Sequence, residues 1–488
     1  MSTTNISSTT ANSALTQAAQ SIISGVTNSN TDTSALVSAM VTAKMAAQTT
    51  QNVNQQNLDN TTLSAIGSLK SALSSLQSAL SGLTDGSALA KTTATASGSG
   101  LSATTSTGSV VGSYSIAVTQ VATAQKLALT AGVQPSTKQI GTGNLTITLG
   151  SGAPMTVGIN TGNNTLAGIA SAINSASGNP GVTATVVTGT DGSHLVLTSN
   201  VTGAANTIQV STNSIDGLAS LATVDSSGAA TNNYVEKNSA QDAMLSIDGI
   251  TNIKSASNTI TGAITGVTLN LATAAANTTQ TLTVAADNTS ATNAINGFVS
   301  AYNSFVSTAS SLSSFDSTAA AGSQGGPLIG DSMLNSIVGS LATALSKGVT
   351  SGSSTVSLSA LGINLTPTGT LSVDSAALSN ALTHNSTSVA TAFNATNGIG
   401  AVLNNNITSY LQTGGIIDTR VNALNSDLAD AKTQAKTLQA YANQLTDQYN
   451  AQFTALNTLM ARMQNNSQYL TQLFGGTNSA GALATNKS

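Results

Sequence analysis

The sequence predicts an α+β multidomain chain: a discontinuous helical leg, coiled coil or bundle, is built from both termini and brackets nested β-rich head domains. Three observations carry this expectation. A seven-residue apolar repeat runs through Val421–Leu473, a seam of the same spacing lies near the N-terminus, and strand-type alternation is confined to the middle of the chain.

The C-terminal seam steps by threes and fours through Val421, Leu424, Leu428, Ala431, Ala435, Leu438, Ala442, Leu445, Tyr449, Gln452, Leu456, Leu459 and Met463. It slips once at the polar Asn466 and recovers at Leu470 and Leu473, with no Pro or Gly in between. A repeat held this long keeps one face of a slightly underwound helix apolar, as in a coiled coil. At 1.5 Å per residue such a rod is roughly 80 Å long, too long to hide its seam in one globule. It therefore needs a partner helix, and the other end of the chain offers one. Beyond the capping oxygens of Thr31, Asp32, Thr33 and Ser34, a helical run opens with Leu36, Val37, Met40, Val41 and Met45. After a polar Gln/Asn stretch, a cleaner seam follows at Ile66, Leu69, Leu73, Leu76, Leu80 and Leu83, and Asp85-Gly86 stops it.

Between the legs, a Ser/Thr/Gly connector over Ala90–Gly108, with room for short strands, leads to Gly112–Val121, where Tyr114, Ile116 and Val118 alternate with small polar residues. Past Pro135, alternation at Leu145, Ile147, Leu149 and at Met155, Val157, Ile159 gives a hairpin. Leu166, Ile169 and Ile173 then mark a short helix, and strands resume at Val182–Val187, His194–Leu197 and Ile208–Val210. This order reads as a small α+β domain inserted into a second sheet, which Met244–Ile250, Ile253, Ile260, Ile264, Val267–Leu271, Leu282 and Val284 would complete. Helical spacing returns at Ile295, Phe298, Val299, Tyr302 and Phe305. It recurs around Leu334–Leu345 and again around Leu378, Leu382, Val389 and Phe393. The expected divisions are a terminal segment 1–45, a leg over 46–107 and 288–449, a β-rich head over 108–137 and 239–287, an inserted outer head over 138–238, and a C-terminal helix and tail over 450–488.

Composition excludes several functions. Charged residues are 6% of the 488 and the net charge is −4, with cations scattered, so neither nucleic acid nor a membrane surface is an expected partner. No run approaches the ~18 apolar residues of a membrane span. The Ser/Thr/Asn-rich stretch 1–30 has no basic start, apolar core or cleavage site, so any export is expected to use an uncleaved N-terminus. The absence of Cys suits such a route. Only His194 and His384 are available as imidazoles, and both read as solvated surface residues. Asp191-Gly192, Asp216-Gly217 and Asp248-Gly249 read as turns. No metal, cofactor or catalytic constellation is expected, and the chain reads as a non-enzyme. In the rod, Asp427 and Lys432 occupy positions from which an interhelical ion pair could help set the alignment.

Four stretches resemble the bacterial flagellar filament-capping family, flagellar hook-associated protein 2 or FliD. Gly67–Leu83 followed by Gly112–Leu127 is similar to its N-terminal region, and Asn164–Asn174 to a motif shared by flagellin-related proteins. Leu245–Ile250 with Gly266–Leu271, Pro327–Asp331 and Leu361–Asp374 resembles its C-terminal half. Gly415-Ile416-Ile417 with Tyr449, Phe453, Tyr469, Leu470 and Phe474 resembles its closing helix. The opening Asn28–Leu36 and Ala46-Ala47 depart from the family's Gly-Ser-Gly-Leu-Asp and Pro. The resemblance implies a secreted, ring-shaped homo-oligomer at the distal filament tip that holds exported flagellin while it folds and prevents its leakage. It also implies contact with flagellin and the hook–filament junction protein, and a cytoplasmic export chaperone on the C-terminal helix. Two other readings stand beside it: another axial flagellar protein, flagellin or junction protein, and a secreted coiled-coil adhesin. An adhesive role of the outer head is compatible with capping.

Overall fold

The computed structural model describes residues 33–320, 323–351, 354–394 and 396–474. The expected terminal segment up to residue 32 and the tail beyond 474 lie outside them. The chain divides into a helical unit, Met1–Thr84 with Ile295–Ser488, and a β-rich unit, Asp85–Ala294.

In the helical unit, the N-terminal run and the cleaner seam form one helix, α1 (Thr33–Thr84), because no Gly or Pro breaks the Gln/Asn stretch between them. Its partners follow in the second half of the sequence: α3 (Asn288–Ser313), α4 (Ser332–Ser346), α5 (Ser375–His384), α6 (Ser386–Asn394), α7 (Ile399–Leu411) and α8 (Ile416–Phe474). Leu378, Leu382, Val389 and Phe393 belong to two helices, parted at Asn385. Asp331 caps α4 through Leu334 N–H, and Asp374 caps α5 through the N–H groups of Ala376 and Ala377. Phe298 and Phe393 meet edge to face at 5.9 Å, tying α3 to α6. The side-chain amide of Asn303 donates to Leu371 O at 2.8 Å and its oxygen accepts from Leu371 N–H at 2.7 Å, which fixes a small hairpin against α3. Close approach also governs α7: a Cβ at Gly400 would lie 2.5 Å from Phe393 O.

The β-rich unit contains β1 (Thr92–Ala96), β2 (Leu101–Thr105), β3 (Gly112–Gln120) and β4 (Lys126–Leu129), then β5 (Gly143–Leu149), β6 (Met155–Ile159), α2 (Leu166–Ser175), β7 (Val182–Gly189), β8 (Gly192–Ser199), β9 (Ile208–Thr212) and β10 (Tyr234–Asn238). It ends with β11 (Ala243–Ile247), β12 (Ile250–Ser255), β13 (Thr259–Ile264), β14 (Val267–Leu271) and β15 (Thr278–Ala286). One sheet has the order β1-β15-β3-β11-β12 and a second β13-β14-β2, so β3 is completed by strands more than a hundred residues later. Ile116, Val118, Leu245, Leu269 and Leu282 form the core between them. The inserted domain pairs β10-β4-β8-β7 and β6-β5-β9 around Leu145, Ile147, Ile169, Ile173 and Leu197.

Two expected divisions shift. The leg does not extend to residue 107: the helix ends at Thr84, and Thr92–Ala96 and Leu101–Thr105 pair with β15 and β14. Their small residues, Thr and Ala in the first and Ser, Ala and Thr after Leu101 in the second, are too weakly apolar to place a strand from the sequence. Likewise β4 falls before residue 138, yet Leu127 and Leu129 belong to the inserted domain's core.

Candidate partner-binding face of the terminal helix

The seam residues of α1 are fully covered: Ile66, Leu69, Leu73, Leu76, Leu80 and Leu83 are each 0% exposed. Helix α7, which periodicity did not single out, lies along this part of α1, where Gln77 donates to Thr408 Oγ1 at 2.8 Å. Further toward the N-terminus the cover is α8. The Asn52 amide donates to Ala431 O at 2.8 Å, and Val37, Val41 and Met45 pack with Leu445, Leu438, Ala442, Tyr449 and Phe453. Rising numbers on α1 thus meet falling numbers on α8, and the two run antiparallel.

The seam of α8 therefore falls into two parts. Leu424, Leu428 and Leu445 are buried, and Val421, Leu438 and Tyr449 are half-buried. The described residues start at Thr33, opposite the Tyr449–Phe453 turn, and no later part of α8 has a partner among them. Leu456 (47%), Leu459 (55%), Met463 (63%) and Leu470 (54%) are exposed, with Met460 and Tyr469 beside them. This projecting stretch, Thr454–Phe474, is about 30 Å long. Its only charged residue is Arg462. Several large apolar side chains thus line one helix face beside a single charge, an exposed apolar stripe larger than scattered surface hydrophobics make.

The alignment of the legs does not come from Asp427 and Lys432; both are exposed, and neither forms an ion pair among the described residues. It comes from the polar stretch of α1, where the sequence showed no seam. Met45, Asn52, Asp59 and Ile66 stand seven apart, and Asn52 and Asp59 are as buried as the apolar residues flanking them. The signal was that spacing, hidden by residue type.

Of the imidazoles, His384 is exposed, but His194 is not the solvated residue expected. Its Nδ1 is 2.7 Å from Leu129 O and its Nε2 is 3.1 Å from Asp191 Oδ1. Position 194 alternates onto the sheet face opposite the core residues Leu195 and Leu197, next to the end of β4, the neighbouring strand of the same sheet. Both ring nitrogens face acceptors, so the imidazolium is favoured. The Asp191 hydrogen bond first, then that to Leu129, raises the His194 pKa against the opposing effects of partial burial and Lys237. A pKa raised in the folded state contributes stability that is complete below the unfolded value of about 6.5 and is lost as pH rises through the folded value. Denaturant melts of the β-rich unit's transition are therefore expected to show greater stability just below about pH 6.5 than at about pH 8.5, a window above the carboxylate range in which Asp191, Asp216, Asp225 and Asp287 lose their own contributions, and His194→Gln is expected to flatten that difference. A difference unchanged in His194→Gln would refute the assignment. Asp216, read as a turn residue, instead caps the 3-10 turn Gly217–Leu221 through Leu218 N–H.

Among the described residues there is no cluster of potential metal ligands, and no helix is long and apolar enough to cross a membrane. Helical legs drawn from both ends of the sequence and a nested β-rich unit define the α+β multidomain architecture of a structural assembly subunit. The chain belongs to the flagellar hook-associated protein 2 family. Residues 29–125 match that family's N-terminal region and 240–465 its C-terminal region, while 144–201 match the flagellin hook IN motif. It is similar to the B-type flagellar hook-associated protein 2 of Pseudomonas aeruginosa, at 31% identity over 89% of this chain and 94% of that one. To flagellar hook-associated protein 2 of Escherichia coli K12 it is 33% identical over 91% of this chain and 96% of the relative. The crystal structure of the D1-D2-D3 domains of the Escherichia coli flagellar cap protein FliD superposes with a TM-score of 0.60 at 34% identity, covering 74% of this chain and 99% of that one.

Proposed function

We propose that this chain caps the distal end of the bacterial flagellar filament as a ring-shaped homo-oligomer, keeping exported flagellin at the tip while it folds and polymerises. Its family membership supports the capping role. The observation that carries the mechanism is the apolar seam of α8, which continues past Phe453 for about 30 Å with no partner among the described residues. Such a stripe suits the terminal helices of flagellin and of the hook–filament junction protein in the assembled filament, and an export chaperone in the cytoplasm. Contacts of this kind are numerous and individually weak, so they can break and re-form as each subunit adds.

The test is gene deletion with electron microscopy of the cells and gel analysis of the medium. Stunted or absent filaments with monomeric flagellin in the medium, restored by the full chain but not by one ending at Phe453, support the proposal. Normal filaments with lost surface attachment would sink it and favour the adhesin.

A further inference from the structure

Asn-Gly occurs twice in the sequence, at Asn296-Gly297 and Asn397-Gly398. Such a pair can lose its side-chain amide without an enzyme. The backbone nitrogen after the asparagine attacks Cγ, and glycine, with no Cβ, leaves that approach open and the backbone free to adopt it. Both asparagines are exposed, so contact with solvent does not distinguish them. Their backbones do.

Asn296 lies well inside α3, and Phe298, two residues on, is fully buried. The helix holds Gly297 N–H on the carbonyl one turn back and keeps Asn296 at helical φ and ψ. Attack needs that ψ to change, so it waits for α3 to open. Asn397 instead stands in a turn outside any helix, just ahead of α7, and Gly398 is extended, with φ −65° and ψ 156°. Neither the Asn397 side chain nor Gly398 N–H forms a hydrogen bond among the described residues. Gly398 is itself covered, so its N–H is a donor withdrawn from water with no acceptor, which costs free energy. Ring closure onto Asn397 replaces that hydrogen by carbon and removes the orphaned donor.

We propose that Asn397 is a site of spontaneous deamidation and that Asn296 is protected from it. Gly398 N bonds to Asn397 Cγ, the Cγ–Nδ2 bond breaks, and Nδ2 leaves as ammonia with the Gly398 proton. Water then opens the five-membered imide at either carbonyl. One opening leaves an aspartate at position 397; the other leaves an isoaspartyl linkage, in which the chain runs through the side chain. The aspartate puts negative charge at the N-terminus of α7, where it is favourable. The isoaspartyl linkage lengthens the backbone by one carbon ahead of a segment with no slack: Ile399 is buried, and a Cβ at Gly400 would lie 2.5 Å from Phe393 O and 3.0 Å from Thr84 Cγ2. That product loosens α7 against α1.

The test is incubation of the purified full chain in mildly alkaline buffer, folded and in denaturant, followed by peptide mass spectrometry. Asn397 is expected to convert in the folded chain within about tenfold of its rate in denaturant, and Asn296 at least about a hundredfold slower than its own rate in denaturant. Equal folded-state rates at the two sites overturn the proposal, as does protection of Asn397 as strong as that of Asn296. In urea melts the isoaspartyl fraction is expected to unfold at a lower midpoint than Asn397→Asp, which melts with the parent. Equal midpoints for the isoaspartyl fraction and Asn397→Asp overturn the consequence assigned to the linkage. The unsubstituted chain decides the site whether or not the variant folds.

Discussion

Replacing Leu73 with asparagine is expected to unfold the helical unit under conditions where the unsubstituted chain is fully folded. Leu73 is one of six consecutive seam residues of α1 with no exposure. Removing its side chain from a covered site costs the lost transfer free energy and a cavity, about 2 to 5 kcal/mol. An amide left there without a partner adds about 1 to 3 kcal/mol. The total approaches the roughly 5 to 15 kcal/mol that holds an ordinary domain together. Leu58→Asn makes the same chemical change on the same helix at a position 58% exposed, and is expected to fall within about 0.5 kcal/mol of the parent. Urea melts followed by far-UV circular dichroism separate the two variants. Similar midpoints for Leu73→Asn and the parent would mean that the α1 seam does not hold the unit together.

Periodicity made the legs and the nesting legible, because seven-residue and two-residue spacings report burial directly. The strands of the inserted domain were readable for this reason: Leu145, Ile147 and Leu149 announce an inward face whatever they pack against. Where burial falls on polar or small residues the signal fails. Thr92–Ala96 read as part of a connector with room for short strands that periodicity could not place, and it pairs along its length with β15. Asn52 and Asp59 lie in the seam by geometry, yet polar type made them look like a break in it. His194 looked solvated because what buries it, the carbonyl of Leu129, lies 65 residues away in sequence. For the candidate site, the seam of α8 was evident as a list of residues. Which of them are covered was not, because that depends on where α1 begins relative to α8. The overhang follows from an antiparallel alignment set by the Asn52–Ala431 hydrogen bond, a contact across 379 residues.

The division of the α8 seam sets up the second large effect. Leu459→Asp/Met463→Asp places two carboxylates on the uncovered stripe, where both positions are more than half exposed. The fold should be indifferent, with a stability change within about 0.5 kcal/mol per site, since no partner side chain among the described residues is lost and no charge is buried. Docking should not be indifferent. Each apolar anchor contributes about 1.5 to 3 kcal/mol when fully buried against a partner. Loss of both therefore weakens association by roughly a hundredfold to ten-thousandfold. With Arg462 as the only charge in the native stretch, the interaction of the unsubstituted helix should change little between low and high salt. In a strain lacking the native gene, the double variant is expected to be made and folded, with an unshifted melt, and to leave filaments short and flagellin in the medium. Leu459→Met/Met463→Leu, which keeps the stripe apolar, should restore them. If the aspartate variant builds filaments as long as the parent does, the projecting half of α8 is not the surface through which this chain acts.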